Sequence, residues 1–409
     1  MKRRLGVPDA VVIGMGSMIG AGIFAALGPA AGAAGSGLLI ALASAAVVAY
    51  CNAMSSARLA ALYPRSGGTY VYGRERLGEF WGYLAGWAFV VGKTASCAAM
   101  ALTVGSYLWP GQAHAVAVAA VVALTAVNYA GVQKSALLTR VIVAVVLAVL
   151  AAVVVTCLTS AGADASRLDI GSDATVGGML QSSGLLFFAF AGYARIATLG
   201  EEVRDPARTI PRAVPTALGI TLAVYALVAV AVLTVLGPDG LAHATAPLSD
   251  AVRAAGAERL VPVVRAGGAV AALGSLLALI LGVSRTTLAM ARDRHLPHCL
   301  SAVHPRTGVP HRAELAVGAV VCLLAATTDL RGAIGFSSFG VLVYYAIANA
   351  SAFTLGRDEG APQRIVPVLG LAGCVLLGFF LPLSSVVCGA AVLAVGAAVH
   401  GLRRARGSV

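Results

Sequence analysis

Apolar residues dominate this chain in long runs that short polar segments separate. A helix needs about 20 residues to cross the hydrocarbon core of a bilayer, and most of these runs have about that length. The pattern therefore predicts twelve membrane-spanning helices, which we call spans 1 to 12. They cover residues 7–29, 36–57, 79–108, 114–132, 138–160, 178–200, 213–236, 261–291, 312–328, 333–355, 365–382 and 384–402.

The composition supports a multi-pass membrane protein. Of the 409 residues, 59% are hydrophobic and 11% are charged, and the mean hydropathy is +0.88. Soluble proteins carry about 25% charged residues, so a soluble class is excluded. The longest predicted loops, 161–177, 237–260 and 292–311, are too short to hold a hydrophobic core of their own. The function must therefore lie within the helix bundle.

The charges indicate how the chain is oriented in the membrane. The formal net charge is +12, but the basic residues lie in loops between apolar runs, which argues against a nucleic-acid-binding surface. With the N-terminus inside, 22 of the 29 Lys and Arg residues fall on the cytoplasmic side, two fall within spans, and five fall outside, namely Arg167, Arg253, Arg259, Arg265 and Arg331. Because cytoplasmic loops carry such an excess, we predict a protein of the cytoplasmic membrane with both termini in the cytoplasm.

Two spans combine glycine with apolar and aromatic residues in a way that predicts interrupted helices. Span 1 has four glycines within the nine residues 14–22, and span 6 has Gly184 followed by the aromatic-rich run 187–193. Broken helices at membrane depth are tolerated only where they line a cavity or are buried in protein, and in transporters they mark the substrate site. The alternative is close packing of helices through small residues.

The positions of the two interrupted spans predict two inverted repeats. If spans 1–5 and 6–10 form the two halves, each interrupted span is the first span of its half. Because each half has an odd number of spans, the second half must lie in the membrane in the opposite orientation. The predicted fold is an all-α membrane protein with five-helix repeats at residues 1–160 and 161–356, and two further helices with a cytoplasmic tail at 357–409. A substrate site at the membrane midplane follows from this arrangement.

Interrupted helices also indicate the kind of ligand. The exposed N–H groups and the positive dipole at the start of a half-helix attract a carboxylate. Unwound carbonyl groups attract an ammonium group or another cation. A site that offers both suits a zwitterion, and we therefore predict an amino acid as the substrate.

Four motifs resemble those of the amino acid–polyamine–organocation permeases, in the order found in that family. They are the stretch 16–24, the stretch 63–70, the stretch 187–193 leading to 201–206 and 210–212, and the stretch 284–293 followed by Leu296 and Pro297. The resemblance covers about residues 7–355. It implies an amino acid transporter with the 5+5 inverted-repeat fold of the sodium-coupled neurotransmitter-type transporters.

The resemblance implies roles for residues at both interruptions. Backbone N–H groups near Ala21 and Gly22 would hold the substrate carboxylate, and carbonyl groups of Met18, Phe188 and Ala191 would hold its amino group. Aromatic side chains of the second interruption would line or gate the pocket. In full, the implied substrate-binding residues are Met18, Ile19, Gly20, Ala21, Gly22, Phe188, Phe190, Ala191 and Tyr193.

The resemblance also implies a place for a coupling cation. In sodium-coupled relatives of the fold, a cation lies between spans 1 and 8, where this chain has the carbonyl groups of Gly16 and Ile19 and the hydroxyl of Ser275. The alternative for Ser275 is a hydrogen bond to its own helix backbone, which is common for serine in membrane helices.

The chain departs from the family at residues that couple transport to protons. Many members carry a lysine midway along span 5, and the matching residue here is Val146; the acidic residue that often follows the second interruption is replaced by Ala194. Lys93, near the middle of span 3, lies at a depth where a charge is costly and usually functional. We predict that Lys93 replaces the missing lysine as a proton-linked or cation-mimicking group. The alternative is a structural lysine that is bonded to carbonyl groups or reaches towards water.

Arg195 is the second cation within a span. It could pair with Glu201 or Glu202, stabilise the interruption, or meet a substrate carboxylate. No acidic residue falls at a predicted midplane, which argues against a carboxylate proton relay and favours a neutral amino acid over a cationic one.

Three functions compete at this point. The first is a secondary amino acid transporter, working by uniport, proton symport, exchange or export; its partners are the amino acid, the lipid bilayer and, for symport, protons. The second is a multi-pass membrane enzyme, for which His295 and His298 have ligand-like spacing but no accompanying catalytic motif. The third is a non-transporting receptor or scaffold. We predict the transporter, without a cofactor, a metal site, catalytic residues or a nucleic-acid partner.

Overall fold

The computed structural model describes residues 5–64, 67–131, 136–197, 203–356 and 358–407. Within these residues the regular structure is helical, apart from one isolated bridge between Leu5 and Val203. The α-helices are α1 (Val7–Met18), α2 (Ala21–Ala25), α3 (Leu27–Ala34), α4 (Leu38–Leu62), α5 (Thr69–Leu77), α6 (Glu79–Leu108), α7 (Ala113–Tyr129), α8 (Ala136–Leu158), α9 (Val176–Phe190), α10 (Ala194–Ala197), α11 (Pro206–His243), α12 (Pro247–Ala254), α13 (Val261–Arg292), α14 (His311–Thr327), α15 (Leu330–Phe353), α16 (Ile365–Phe380) and α17 (Leu383–Gly407).

Many of these helices are suited to a membrane. Nine helical stretches of the described chain are long and apolar enough to cross a bilayer, and α16 is a shorter apolar helix. A multi-pass membrane protein is therefore confirmed. The regions predicted as spans 6 and 9 contain α9, of 15 residues, and α14, of 17 residues, each shorter than the roughly 20 residues that cross a bilayer. Twelve spans thus remain a prediction.

Several boundaries differ from the predicted ones. The region predicted as a loop at 237–260 contains the end of α11 and the short helix α12. α11 begins at Pro206, seven residues before the predicted start of span 7, because proline is tolerated in the first turn, where its missing N–H is not needed. Gly237, with φ of 68°, bends the chain near the end of α11, where a residue with a Cβ would be strained.

The long helix α6 lies at the centre of the bundle, where it packs against α5, α7, α13 and α15. Its approach to α15 is closest at two glycines: a Cβ added to Gly92 would lie 3.2 Å from the α-carbon of Gly340. No side chain separates the two backbones there. The outer helices instead expose large apolar side chains, such as Leu137, Phe379 and Leu383, as expected for surfaces that face lipid.

A polar network joins α5, α6, the segment after α13 and α17 at one end of the bundle. The Tyr70 hydroxyl donates to the Asp293 carboxylate and lies 3.0 Å from Nδ1 of His295. The ring of Tyr83, on α6, stacks on the ring of His400, on α17, with 4.4 Å between centroids. These contacts fix the end of α17 against the centre of the bundle.

Candidate functional site

The first apolar stretch leaves helical geometry between α1 and α2, at Ile19 and Gly20. Ile19 has φ −78° and ψ 65°, and Gly20 has φ −125° and ψ −133°. The N–H of Gly20 donates to the carbonyl of Met18 at 2.8 Å, which closes a tight turn in place of the helical bond. We call residues Ile19 and Gly20 the first break. Met18, Ile19 and the following Ala21 are buried, so the first break lies inside the protein.

Ser275 of α13 lies directly against the first break. A Cβ on Gly20 would overlap the Ser275 hydroxyl, so glycine is required for this approach. The hydroxyl oxygen of Ser275 is buried and has no hydrogen-bond partner among the described residues. The α-carbon of Gly16, in contrast, faces α8, where an added Cβ would lie 2.9 Å from a methyl group of Val143.

The predicted second interruption is a change of helix type after α9. That helix ends at Phe190, a 3-10 turn covers Ala191–Tyr193, and α10 continues from Ala194. We call Ala191–Tyr193 the second break. Phe188, Phe190, Ala191 and Tyr193 are all buried. The ring of Tyr193 packs on that of Tyr345, with 5.0 Å between centroids.

The two breaks touch each other through their backbones. A Cβ on Gly192, in the second break, would overlap the carbonyl of Ser17, at the end of α1. A Cβ on Gly22, just after the first break, would lie 2.6 Å from the α-carbon of Ala189. The glycines of both motifs therefore permit the contact between the two interrupted helices.

Tyr225 of α11 connects the same two segments through its side chain. Its hydroxyl is 2.6 Å from the carbonyl oxygen of Met18 and 3.1 Å from that of Ala189, and it donates to these oxygens. Tyr225 is not among the site residues predicted from the sequence. The available signal was a single hydroxyl-bearing aromatic residue in the long apolar run of span 7, and a buried tyrosine hydroxyl needs a partner.

Lys93 reaches the second break from the centre of α6. Its side chain is 8% exposed, and its ammonium donates to the carbonyl of Ala191 at 3.2 Å. Among the described residues, no Asp or Glu carboxylate forms an ion pair with this ammonium. Sequence analysis predicted the depth of Lys93 in the membrane, and the structure adds that it binds one of the carbonyl groups implied in substrate recognition.

The other predicted residues occupy different surroundings. Val146, which stands where many relatives have a lysine, is fully buried on α8. Arg195 is exposed on α10, and the two glutamates proposed as its partners, Glu201 and Glu202, lie outside the described residues. His298 is within 3.4 Å of Ser301, and no group of three or more potential metal ligands occurs in the described part of the chain.

Comparison with known proteins identifies the family. A family profile described as amino acid permease matches residues 5–400. The chain belongs to this family. The resemblance to the amino acid–polyamine–organocation permeases is therefore confirmed, and the protein is a transporter and not an enzyme.

The permease has relatives at several distances. It is 79% identical to an uncharacterized transporter of Mycobacterium tuberculosis over 404 residues, which cover 99% of this chain and 92% of the relative. It is 24% identical to the branched-chain amino acid permease of Bacillus subtilis over 409 residues, with 92% and 88% of the two chains covered. It is 28% identical to human cationic amino acid transporter 4 over 388 residues, with 88% and 61% covered.

The geometry of the permease brings a subset of the predicted residues together. Residues 18–22, the second break and Lys93 form one buried contact region, with Ser275 against its first half. Arg195 lies outside this buried region, and Gly16 contributes its α-carbon to the packing against α8. The region combines unwound backbone, aromatic side chains and one ammonium group.

Proposed function

We propose that this permease moves a neutral amino acid across the cytoplasmic membrane as a secondary active transporter. One observation carries the proposal: two interrupted helices meet backbone to backbone inside a chain of the amino acid permease family. Irregular backbone at membrane depth supplies both hydrogen-bond donors and acceptors to a ligand, which is what a zwitterion requires.

Each break has a defined role in the proposal. The N–H groups of Ala21 and Gly22, with the turn at Ile19 and Gly20, receive the substrate carboxylate. The carbonyl groups of Met18, Phe188 and Ala191 receive its ammonium group. The aromatic side chains of Phe190 and Tyr193, together with Phe188, line the pocket and close it during transport.

Alternating access follows from the proposed repeat architecture. Residues 1–160 and 161–356 form two inverted repeats, and residues 357–409 add the last two helices and a cytoplasmic tail. The breaks lie at the junction of the repeats, with both termini in the cytoplasm. Motion of one repeat relative to the other opens the breaks to each side of the membrane in turn.

Lys93 is the proposed coupling group. Two observations support this role. Lys93 is buried and donates to a carbonyl of the second break, and the position at which many relatives have a lysine is occupied here by the apolar Val146. Ser275, whose hydroxyl lies beside Gly20 and has no hydrogen-bond partner in the part of the chain that the structure describes, is the next candidate for a coupling site. Gly16 and Arg195 complete the set of candidates.

A neutral substrate is supported by the charge of the site. The described residues bring a cation to the breaks and no carboxylate that would balance a cationic side chain.

Uptake of radiolabelled amino acids into proteoliposomes tests the proposal. A panel that spans neutral, acidic and cationic amino acids is measured with and without an inward proton gradient. We expect uptake of at least one neutral amino acid. Stimulation by the gradient identifies proton symport, dependence on internal amino acid identifies exchange, and transport of no amino acid contradicts the proposed function.

A further inference from the structure

We propose that Lys93 determines the charge selectivity of this permease by excluding amino acids with a cationic side chain. The inference rests on the proposed function, because it assigns a property to the same substrate site. It concerns which amino acids enter and does not depend on how transport is coupled.

The position of the ammonium group is the first step. Nζ of Lys93 is 3.2 Å from the carbonyl oxygen of Ala191, the first residue of the second break. The following residue, Gly192, abuts the backbone of Ser17 at the end of α1. The ammonium therefore lies close to where the two interrupted helices meet, on a carbonyl group that the proposed function gives to the substrate.

The described surroundings of the Lys93 ammonium group hold no carboxylate that would balance its charge. Among the described residues, Glu314 is the one buried carboxylate, and it contacts Ser284 at 3.4 Å. Ser284 is nine positions beyond Ser275 on α13. It therefore lies about 13 Å along the helix axis from Ser275, the residue of α13 that lies against the first break. The hydroxyl groups near Lys93, such as that of Ser96, carry no charge. Within the described ranges, which leave out 198–202, no carboxylate therefore neutralises the positive charge at the second break.

The consequence for substrates follows from Coulomb's law. Every amino acid brings an α-ammonium group towards Lys93, but its carboxylate offsets that charge, so a neutral amino acid leaves the net charge of the site unchanged. Arginine, lysine and ornithine bring a second cation into a buried region that already holds one. Repulsion at a few ångströms in such surroundings weakens binding on the order of a hundredfold.

Three substitutions at Lys93 test the inference. Lys93→Met keeps the length and apolar stem of the side chain and removes the charge. Lys93→Gln removes the charge but retains an N–H that can donate to the carbonyl of Ala191. It therefore tests the inference even if Lys93→Met fails to fold. Lys93→Arg keeps the charge.

Arg265 offers a matched control. It also donates to backbone carbonyl groups, those of Tyr107 at 2.7 Å and Leu108 at 2.9 Å, but these lie at the end of α6, 14 and 15 positions from Lys93. Arg265→Met therefore removes a cation and its carbonyl contacts without changing the breaks.

Binding of L-arginine, L-lysine and L-ornithine is measured by titration of each purified protein, beside the neutral amino acid found in the uptake panel. We expect the wild type, Lys93→Arg and Arg265→Met to reject the cationic amino acids. The uncharged variants should bind at least one of them tenfold or more tightly than the wild type does. The inference is overturned if the wild type itself binds cationic amino acids, or if neither uncharged variant gains such binding. Failure of the wild type to bind or transport any amino acid is a different result, because it contradicts the proposed function.

Discussion

The hydroxyl of Tyr225 donates to the carbonyl oxygen of Met18 at 2.6 Å, at the residue where α1 ends. The same hydroxyl is 3.1 Å from the carbonyl oxygen of Ala189, one residue before the end of α9. A side chain of α11 thus satisfies backbone groups next to both breaks. The Tyr225 hydroxyl therefore links the end of α1 to the end of α9 through their carbonyl groups.

Tyr225→Phe should weaken both the fold and the binding of substrate. Because the Met18 carbonyl keeps the N–H of Gly20 as a donor, loss of the tyrosine hydrogen bond costs about 0.5–1.5 kcal/mol in the free energy of unfolding. Because the affected carbonyls flank the breaks, we also expect a higher Kd for the transported amino acid. Thermal denaturation and ligand titration of the purified variant measure the two effects.

Tyr83→Phe is the matched control for this prediction. The Tyr83 hydroxyl also donates to a buried carbonyl, that of Gly396 at 2.8 Å, but it joins α6 to α17. We expect a similar loss of stability and an unchanged Kd. Equal changes of Kd in both variants would contradict the assignment of Tyr225 to the substrate site.

Gly192→Ala should prevent the two breaks from packing together. The added methyl group would overlap the carbonyl of Ser17, and backbone atoms cannot rotate away as a flexible side chain can. Overpacking of this kind destabilises a protein by about 1–3 kcal/mol or more. We expect a lower melting temperature and loss of amino acid uptake in proteoliposomes.

The control for this substitution is Gly219→Ala on α11. A Cβ at Gly219 meets no atom within 4 Å, and the residue is exposed. Alanine is favoured over glycine inside a helix by about 0.5–1 kcal/mol, so this variant should be at least as stable as the wild type. Retained uptake in Gly192→Ala would show that the breaks do not require their backbone contact.

The polar network around His295 predicts a pH-dependent stability. Burial and the neighbouring ring of His400 lower the pKa of His295, although the carboxylates of Asp293 and Glu79 oppose the change. The unfolded chain therefore binds a proton at His295 more readily than the folded protein does. The stability that depends on neutral His295 is fully present above about pH 6.5 and is lost as the pH falls through the lowered pKa.

We expect the melting temperature of the wild type to be lower at pH 5 than at pH 7.5. In His295→Gln, which cannot titrate, this difference should shrink. His298→Gln is the control, because His298 is an exposed histidine on the same segment. A pH difference that His295→Gln leaves unchanged would assign the effect to other groups.

The predicted orientation can be tested with a membrane-impermeant maleimide. Cys299 is exposed on the segment after α13, which the charge pattern places in the cytoplasm. In a Cys388→Ser background, Cys299 should react in intact cells only after permeabilisation. Ala161→Cys, in the exposed segment after α8, should react without it. The opposite pattern would reverse the predicted topology.

The interruptions could be predicted because their cause is local. The density of glycine in residues 14–22 and the glycine and aromatic residues of 187–193 are properties of short segments, and the first break falls inside the predicted segment. Helix type is less predictable: nothing in the sequence indicated that the second break is a 3-10 turn of three residues.

Contacts between distant residues could not be predicted in the same way. Lys93 and Ala191 are separated by 98 positions, and Tyr225 and Met18 by 207, so their pairing depends on how α6, α9 and α11 pack. Glu314 lies near the start of predicted span 9, yet it is fully buried, because packing against α13 decides burial at a helix end. The predicted start of span 7 and the predicted loop at 237–260 miss the starts of α11 and α12, and both helices begin with a proline.

The contact between Gly92 and Gly340 has a mechanical consequence. Because no side chain lies between Gly92 and Gly340, the backbone next to Lys93 has no space to shift towards α15. The ammonium group can then change position mainly by rotation of its flexible four-carbon stem. The length of the Lys93 side chain therefore limits how far the second break can move before the hydrogen bond from Lys93 to the carbonyl of Ala191 is lost.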